Sequence, residues 1–172
     1  GVEVNQAANN GVTALIWASV EGHINVIRLL LGAEGVEVNQ ANNDGITALL
    51  MASETGHVDV VRLLLGVEGV EVNQANNNGS TALIFASQEG HVEVVRLLLG
   101  AEGVEVNQAD NNGSTALICA SFKGHVEVIR LLLGAEGVEV NQAASNGVTA
   151  LIWASQQSHL DIVRLLTDAG AN

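Results

Sequence analysis

Five histidines recur along the chain at a constant spacing of 34 residues, at His23, His57, His91, His125 and His159. This spacing limits the chemistry that they can do together. A strip of imidazoles suggests a metal site, but ligands of one zinc ion need nitrogens about 2.0–2.1 Å from a common centre. Equivalent positions on stacked helices lie about 8–10 Å apart, so these side chains cannot share an ion. We therefore expect no metal or other cofactor. The histidines are expected to have a structural role, with a collective response to pH as the alternative.

The single cysteine, Cys119, is the other candidate for covalent chemistry, with His125 as its base. Its equivalents at 34-residue intervals are Trp17, Met51, Phe85 and Trp153. A position that accepts these side chains is an apolar one, which favours packing over nucleophilic attack. The carboxylates repeat with the units, as solvated surface charges do, and the glycines form no phosphate-binding loop sequence. We therefore predict that the chain is not an enzyme.

Composition places the chain among folded proteins and excludes several classes of partner. It has 172 residues, of which 48% are hydrophobic and 15% are charged, so it can bury a core. The net charge of −13 repels nucleic-acid backbones and anionic membranes, and no apolar run is long enough to cross a bilayer. We expect no nucleic acid and no membrane as partner. One cysteine cannot form an internal disulfide, which favours a cytoplasmic location.

An internal repeat organises the whole chain. The heptapeptide Gly-Val-Glu-Val-Asn-Gln-Ala begins at residues 1, 35, 69, 103 and 137. We predict one domain over residues 1–172, built from units 1–34, 35–68, 69–102, 103–136 and 137–172. A unit this short cannot cover its own apolar surface, so neighbouring units must pack on one another.

The first unit shows the local signals that every unit repeats. Gly11 follows two asparagines and marks a turn, and Thr13 offers a hydroxyl to cap a helix over 14–20. A second, more apolar helix is predicted from about His23 to Leu31, and the alternation in Gly32–Asn43 predicts an extended hairpin arm. The predicted fold class is therefore all-α, a solenoid of stacked helix pairs with projecting arms.

These motifs resemble the ankyrin repeat. The resemblance rests on Thr13-Ala14-Leu15-Ile16, Gly22-His23, the run Val26–Leu31 and Val38-Asn39, and it recurs in all five units. The chain departs from the usual Thr-Pro-Leu-His motif by carrying Thr-Ala-Leu-Ile, or Thr-Ala-Leu-Leu in the second unit. The resemblance implies that each histidine bonds loop backbone at the start of the second helix. It also implies noncovalent protein binding on the concave face, through hairpin tips and first helices.

Two rows of variable positions match the contact surface that this resemblance implies. The turn row precedes the first helix of each unit and comprises Asn10, Val12, Asp44, Ile46, Asn78, Ser80, Asn112, Ser114 and Val148. The end row lies where each first helix ends and comprises Val20, Glu21, Glu54, Thr55, Gln88, Glu89, Phe122, Lys123, Gln156 and Gln157. Drift at tolerant exposed positions is the alternative explanation of their variation.

Phe122 beside Lys123 is the strongest single contact candidate, because aromatic residues dominate protein interfaces. The alternative is that Phe122 folds over the neighbouring unit. Trp17 and Trp153 could line the groove, but packing between helices is the expected role.

The acidic surface predicts a basic or neutral protein partner. A repeat scaffold, engineered or used as a spacer with no dedicated partner, is the alternative function. End-to-end self-association is a further expectation, because the terminal units carry no clearly polar cap. Ser158 stands where the other units have glycine, so the last unit is expected to be strained there.

Overall fold

The computed structural model describes residues 3–172, and within them the chain forms ten α-helices and no β-strand. The helices are α1 Ala14–Val20, α2 Ile24–Leu31, α3 Ala48–Thr55, α4 Val58–Leu65, α5 Ala82–Glu89, α6 Val92–Leu99, α7 Ala116–Lys123, α8 Val126–Leu133, α9 Ala150–Gln156 and α10 Leu160–Asp168. Odd-numbered helices are the first helices of their units, and even-numbered helices are the second helices. The predicted helix over 14–20 is confirmed, and the second helix begins one residue later than expected.

Each first helix starts where the sequence places its cap. The Thr13 hydroxyl accepts a hydrogen bond from the Ile16 N–H at 3.3 Å, and the equivalent threonine of every other unit does the same. Such a bond satisfies one of the amide groups that the first turn of a helix leaves free. The preceding turn needs a positive φ, which Gly11 supplies at +81°.

The helices stack in two layers, and the core lies between them. First helices pack on first helices along the chain, second helices pack on second helices, and each pair is joined by its own turn. Residues such as Ile27, Leu64 and Leu98 are fully buried between neighbouring units. Their burial depends on the adjacent unit, as expected for a solenoid. The predicted all-α solenoid of stacked helix pairs is confirmed.

The histidines bond the first helix of the preceding unit, so the implied bond to loop backbone at the start of the second helix is wrong. Their side chains make no capping bond to their own second helices. Instead, the Nε2–H of His57 donates to the Val20 carbonyl of the preceding unit at 2.8 Å. His91, His125 and His159 make the equivalent bond at 2.9, 2.9 and 3.2 Å. Each of these four imidazoles therefore ties the start of a second helix to the first helix of the preceding unit.

The arms between units are series of turns rather than the extended hairpins expected. Within residues 3–172, pairing of the strand type is limited to two isolated bridges, one of which joins Ala7 to Thr13. An asparagine side chain links each arm to the next. Asn39 donates to the Gly69 carbonyl at 2.7 Å and accepts from the Glu71 N–H at 3.0 Å. These asparagine side chains make hydrogen bonds with backbone groups of the next arm. Those groups therefore do not need partners from a β-ladder.

None of the helices described is long and apolar enough to span a bilayer.

Candidate functional site

The turn row forms a continuous edge, because a backbone ladder joins successive turns. The Asn43 N–H donates to the Asn10 carbonyl at 3.0 Å, and Asn77 donates to Asp44 at 3.0 Å. The same bond joins Ser145 to Asn112 at 2.8 Å. Side chains at the tips, including Asn10, Asp44, Asn78 and Asn112, remain exposed. The ladder thus holds one tip side chain per unit at a regular spacing, and this side chain is asparagine in every unit except the second, which has Asp44.

The end row is held in register by the histidine bonds described above. The carbonyls that receive those bonds belong to Val20, Glu54, Gln88 and Phe122, which are all members of this row. Their backbone is fixed while their side chains differ from unit to unit. None of the nineteen residues predicted in the two rows is buried.

The two rows meet at a cleft of about 320 Å³ formed by the third, fourth and fifth units, which we call the aromatic cleft. It brings together four predicted residues, one from the turn row and three from the end row. Three further lining residues come from the first helices α7 and α9. The cleft is lined by Gln88, Ser114, Ile118, Cys119, Phe122, Lys123 and Trp153. A concave apolar site with a few polar groups at its edge is the usual form of a recognition pocket.

Phe122 packs against the neighbouring unit, as the alternative predicted, and its ring also faces solvent. Its ring meets Trp153 edge to face, with centroids 4.8 Å apart and an interplanar angle of 70°. Such a pair orients both rings more firmly than apolar contact alone. Phe122 nevertheless keeps 40% of its surface exposed. Trp153 is half-buried, so it packs between helices as expected and also lines the cleft.

Cys119 is an unreactive wall of this cleft rather than a nucleophile. Burial raises the pKa of its thiol to about 11, with Asp110 adding to the rise and Lys123 opposing it. The thiolate is the reactive species, so little is present near pH 7. His125 is bonded to the Gln88 carbonyl and belongs to the interface between units. The predicted packing role of Cys119 is confirmed by its contact with the core.

Trp17 corrects the expectation that both tryptophans pack between helices. It is 56% exposed, while Met51, Phe85 and Cys119 at the equivalent positions are partly buried. These side chains stand on the surface of the first-helix layer and gain cover from neighbouring units. Among the described residues, Trp17 has a neighbouring unit on one side only. The sequence predicted a packing role for all five equivalent positions, although the variation of residue type among them, from Trp to Cys, indicates a surface position.

Two end-row carboxylates, Glu54 in the last turn of α3 and Glu89 at the end of α5, lie on the two first helices that precede the cleft helix α7. Partial burial raises the pKa of Glu54, and the nearby charge of Glu89 raises it further. Glu89 ends α5, whereas the cleft is centred on the adjacent helix α7. We call Glu54 and Glu89 the acidic pair. Two like charges this close favour a cation between them.

No group of three or more potential metal ligands occurs among the residues that the structure describes. The five histidines are spread along the stack, one per unit, as their spacing requires.

Comparison with known protein families identifies the fold. A family model of three ankyrin repeats matches residues 33–110 and again 101–172, and a single ankyrin repeat matches residues 10–43. The chain therefore belongs to the ankyrin repeat family. Ankyrin repeats are generally protein–protein interaction modules, and the proteins that contain them are typically non-enzymatic. None of the curated proteins matches the chain.

Proposed function

We propose that this chain binds a protein partner on the face formed by the turn row, the first helices and the end row. The observation that carries the proposal is the aromatic cleft beside the acidic pair. Around it the scaffold positions are the same in every unit, while the side chains that reach solvent differ. A uniform scaffold that holds varied side chains at fixed spacing suits recognition of one extended surface.

The partner has an apolar anchor that fits the aromatic cleft. The half-exposed Phe122 and Trp153 offer ring surface, and Cys119 and Ile118 form the floor. A cavity of about 320 Å³ accommodates one large side chain. Aromatic residues that fill such pockets supply most of the binding energy in many protein interfaces.

The partner also carries a cation that pairs with Glu54 and Glu89. Adjacent helices lie about 8–10 Å apart, so a cation between Glu54 on α3 and Glu89 on α5 lies roughly 12–15 Å from the anchor on α7. An extended segment advances about 3.3 Å per residue. The cation and the anchor are therefore about four residues apart if the partner binds as an extended segment. The net charge of −13 speeds the encounter with such a basic partner at low salt.

The alternative function is a spacer, engineered or natural, with no dedicated partner. The near identity of the five units favours it. A spacer needs the exposed rows only for solubility, so it would show no preference for one peptide pattern.

Selection from a library of displayed peptides tests the proposal. We expect enrichment of sequences with Lys or Arg about four residues from an aromatic or large aliphatic residue. Binding of an enriched peptide should fall at least about tenfold for Phe122→Ala, as loss of a hot-spot side chain predicts. Glu54→Gln and Glu89→Gln should weaken binding and reduce its dependence on salt.

The matched control is Glu93→Gln, which removes the same charge from the exposed surface of α6. It should leave peptide affinity unchanged within about twofold, because exposed charges further away than a Debye length are screened. A selection that enriches no common pattern would favour the spacer function. So would a loss of peptide affinity for Glu93→Gln as large as that for Glu54→Gln or Glu89→Gln.

We further propose an intracellular location. Cys119 is a free thiol, which reducing compartments preserve. Fractionation of cells that express the tagged protein tests this, and recovery in the medium or an oxidising compartment would contradict it.

A further inference from the structure

Lys123 is the only lysine of the chain, and it lines the aromatic cleft. It belongs to the fourth unit, which has a neighbouring unit on each side. The chain carries six cationic side chains against nineteen carboxylates, and the other five cations are arginines of the second helices, in the opposite layer. At the positions equivalent to Lys123 the other units carry Glu21, Thr55, Glu89 and Gln157. A positive charge at the end of a first helix is therefore particular to this cleft.

The ammonium group of Lys123 is available to an external anion. It makes no ion pair within the described residues 3–172. Burial raises the pKa of the Cys119 thiol in the cleft wall, Asp110 adds to the rise and the Lys123 charge opposes it, so both charges act on the cleft. The Asp110 carboxylate is occupied in its own turn, where it accepts the N–H groups of Asn112 and Ser114 at 2.9 and 2.8 Å. Lys123 has no such partner.

The polar groups that line the cleft are hydrogen-bond donors. Of the described residues that form it, none is Asp or Glu. The Ser114 hydroxyl and the Gln88 amide stand with the Lys123 ammonium at its edge, and each can donate to an anion. The Gln88 amide has a second N–H besides the one that bonds Glu89 at 3.1 Å. In a chain of net charge −13, a cleft of this kind is complementary to an apolar group that carries a negative charge.

One residue of the partner has to supply both the apolar group and the anion, because the cleft accommodates one large side chain. Lys123 directly follows Phe122, so the donor stands beside the ring that the anchor contacts. The last residue of a polypeptide carries its carboxylate on the same Cα as its side chain. An Asp or Glu next to the anchor would instead point to the opposite side of an extended segment. A terminal carboxylate is therefore the anion that fits this site.

We infer, on the basis of the proposed function, that the aromatic cleft receives the carboxyl-terminal residue of the partner, whose side chain enters the cleft and whose terminal carboxylate pairs with Lys123. The acidic pair then binds a basic residue about four residues before this apolar last residue. The direction of the segment is fixed as well, because the partner chain runs from the acidic pair towards the fifth unit and ends at the cleft.

Synthetic peptides that differ only at the carboxyl terminus test this inference. Each peptide is acetylated at its amino terminus and has Lys about four residues before a last residue of Leu, Ile, Phe or Trp. Each is made once with a free carboxylate and once with an amide. The dissociation constants come from the fluorescence of Trp153, which lines the cleft and is the only tryptophan in a Trp17→Met background. Met51 at the equivalent position shows that the repeat accepts methionine there.

We expect the free acid to bind at least about threefold more tightly than the amide, as for a charge-assisted hydrogen bond at a partly exposed site. Long-range electrostatics predicts the opposite order, because the chain has a net charge of −13 and the amide peptide is the more positive of the two. A preference for the acid therefore requires a local cation.

Lys123→Gln should abolish the preference for the acid. Gln157 occupies the equivalent position in the fifth unit, so the substitution is compatible with the repeat. The matched control is Arg62→Gln, which removes the same charge from the exposed surface of α4. This control should keep the preference. A preference that survives in Lys123→Gln would contradict the inference, and so would one that is lost equally in Arg62→Gln.

A third form of the peptide carries Glu after the apolar residue and ends in an amide, which places the anion on a side chain. We expect it to bind no better than the simple amide, and an affinity equal to that of the free acid would rule out the terminal carboxylate as the ligand. A preference for the acid smaller than about threefold would overturn the inference and leave the proposed function standing. Failure of every form to bind would overturn both.

Discussion

The imidazole of His91 lies so close to Gly56 that a methyl group added to that glycine would come within 2.6 Å of its ring. The same ring reaches past the glycine and donates to the Glu54 carbonyl at 2.9 Å. One side chain therefore fills the space above a left-handed turn and bonds to the helix that precedes it. The glycine in this turn is required by the neighbouring unit as well as by its own φ of +77°.

Gly56→Ala is expected to destabilise the chain by about 2 kcal/mol or more. A left-handed residue with a side chain costs about 1–2 kcal/mol, and displacement of His91 adds the loss of a hydrogen bond of about 1 kcal/mol. Urea unfolding followed by circular dichroism measures the change. Gly35→Ala is the comparison, because its φ is also positive but an added Cβ there has no neighbour within 4 Å. Equal losses for the two variants would mean that the contact with His91 contributes nothing.

The arm asparagines are expected to contribute more in the middle of the stack than at its end. Asn73 donates to the Gly103 carbonyl at 2.7 Å and accepts from the Glu105 N–H at 2.9 Å. Asn73→Ala removes both bonds and should lower the free energy of unfolding by about 1–3 kcal/mol. Asn141 bonds only to the last three residues, so Asn141→Ala should cost less. Chemical denaturation of both variants checks the order, and a larger loss for Asn141→Ala would contradict it.

Cys119 is expected to react slowly with alkylating reagents at pH 8. A pKa of about 11 instead of 9.0 lowers the thiolate fraction about 100-fold at that pH. Asp110→Asn should raise the alkylation rate by up to about fivefold, because it removes one charge that holds the pKa up. The substitution preserves the turn, since Asn42 and Asn76 accept the same backbone bonds at the equivalent positions. A rate equal to that of an unfolded cysteine peptide would show that the thiol is not shielded.

The same thiol makes stability depend on pH in the alkaline range. The folded state holds the proton more tightly than the unfolded state, so its contribution is complete below pH 9.0 and is lost as pH rises to about 11. The full loss amounts to about 3 kcal/mol, at 1.36 kcal/mol for each unit between a pKa of 9.0 and one of about 11. Cys119→Met is the comparison, because Met51 occupies the equivalent position in the second unit and a methionine side chain has no titratable proton. The difference in unfolding free energy between the two proteins should grow across this range, and a constant difference would contradict the prediction.

The sequence by itself determined the elements and their order. The threonine caps, the glycine turns and the apolar second helices are local signals, and each of the five units repeats them. The solenoid follows from the same information, because a second helix as apolar as Ile24–Leu31 needs cover that its own unit cannot supply. The variable rows were also visible in the sequence, since the comparison of five units separates fixed positions from changing ones.

Only the tertiary structure decided how the units contact one another. The bond from His91 to the Glu54 carbonyl and the contact of Phe122 with Trp153 each join residues of different units. The arms show the same limit, because asparagine side chains replaced the strand pairing that alternation in Gly32–Asn43 predicted. A local pattern reports what one segment prefers, whereas these features depend on which atoms the next unit places about 3–5 Å away.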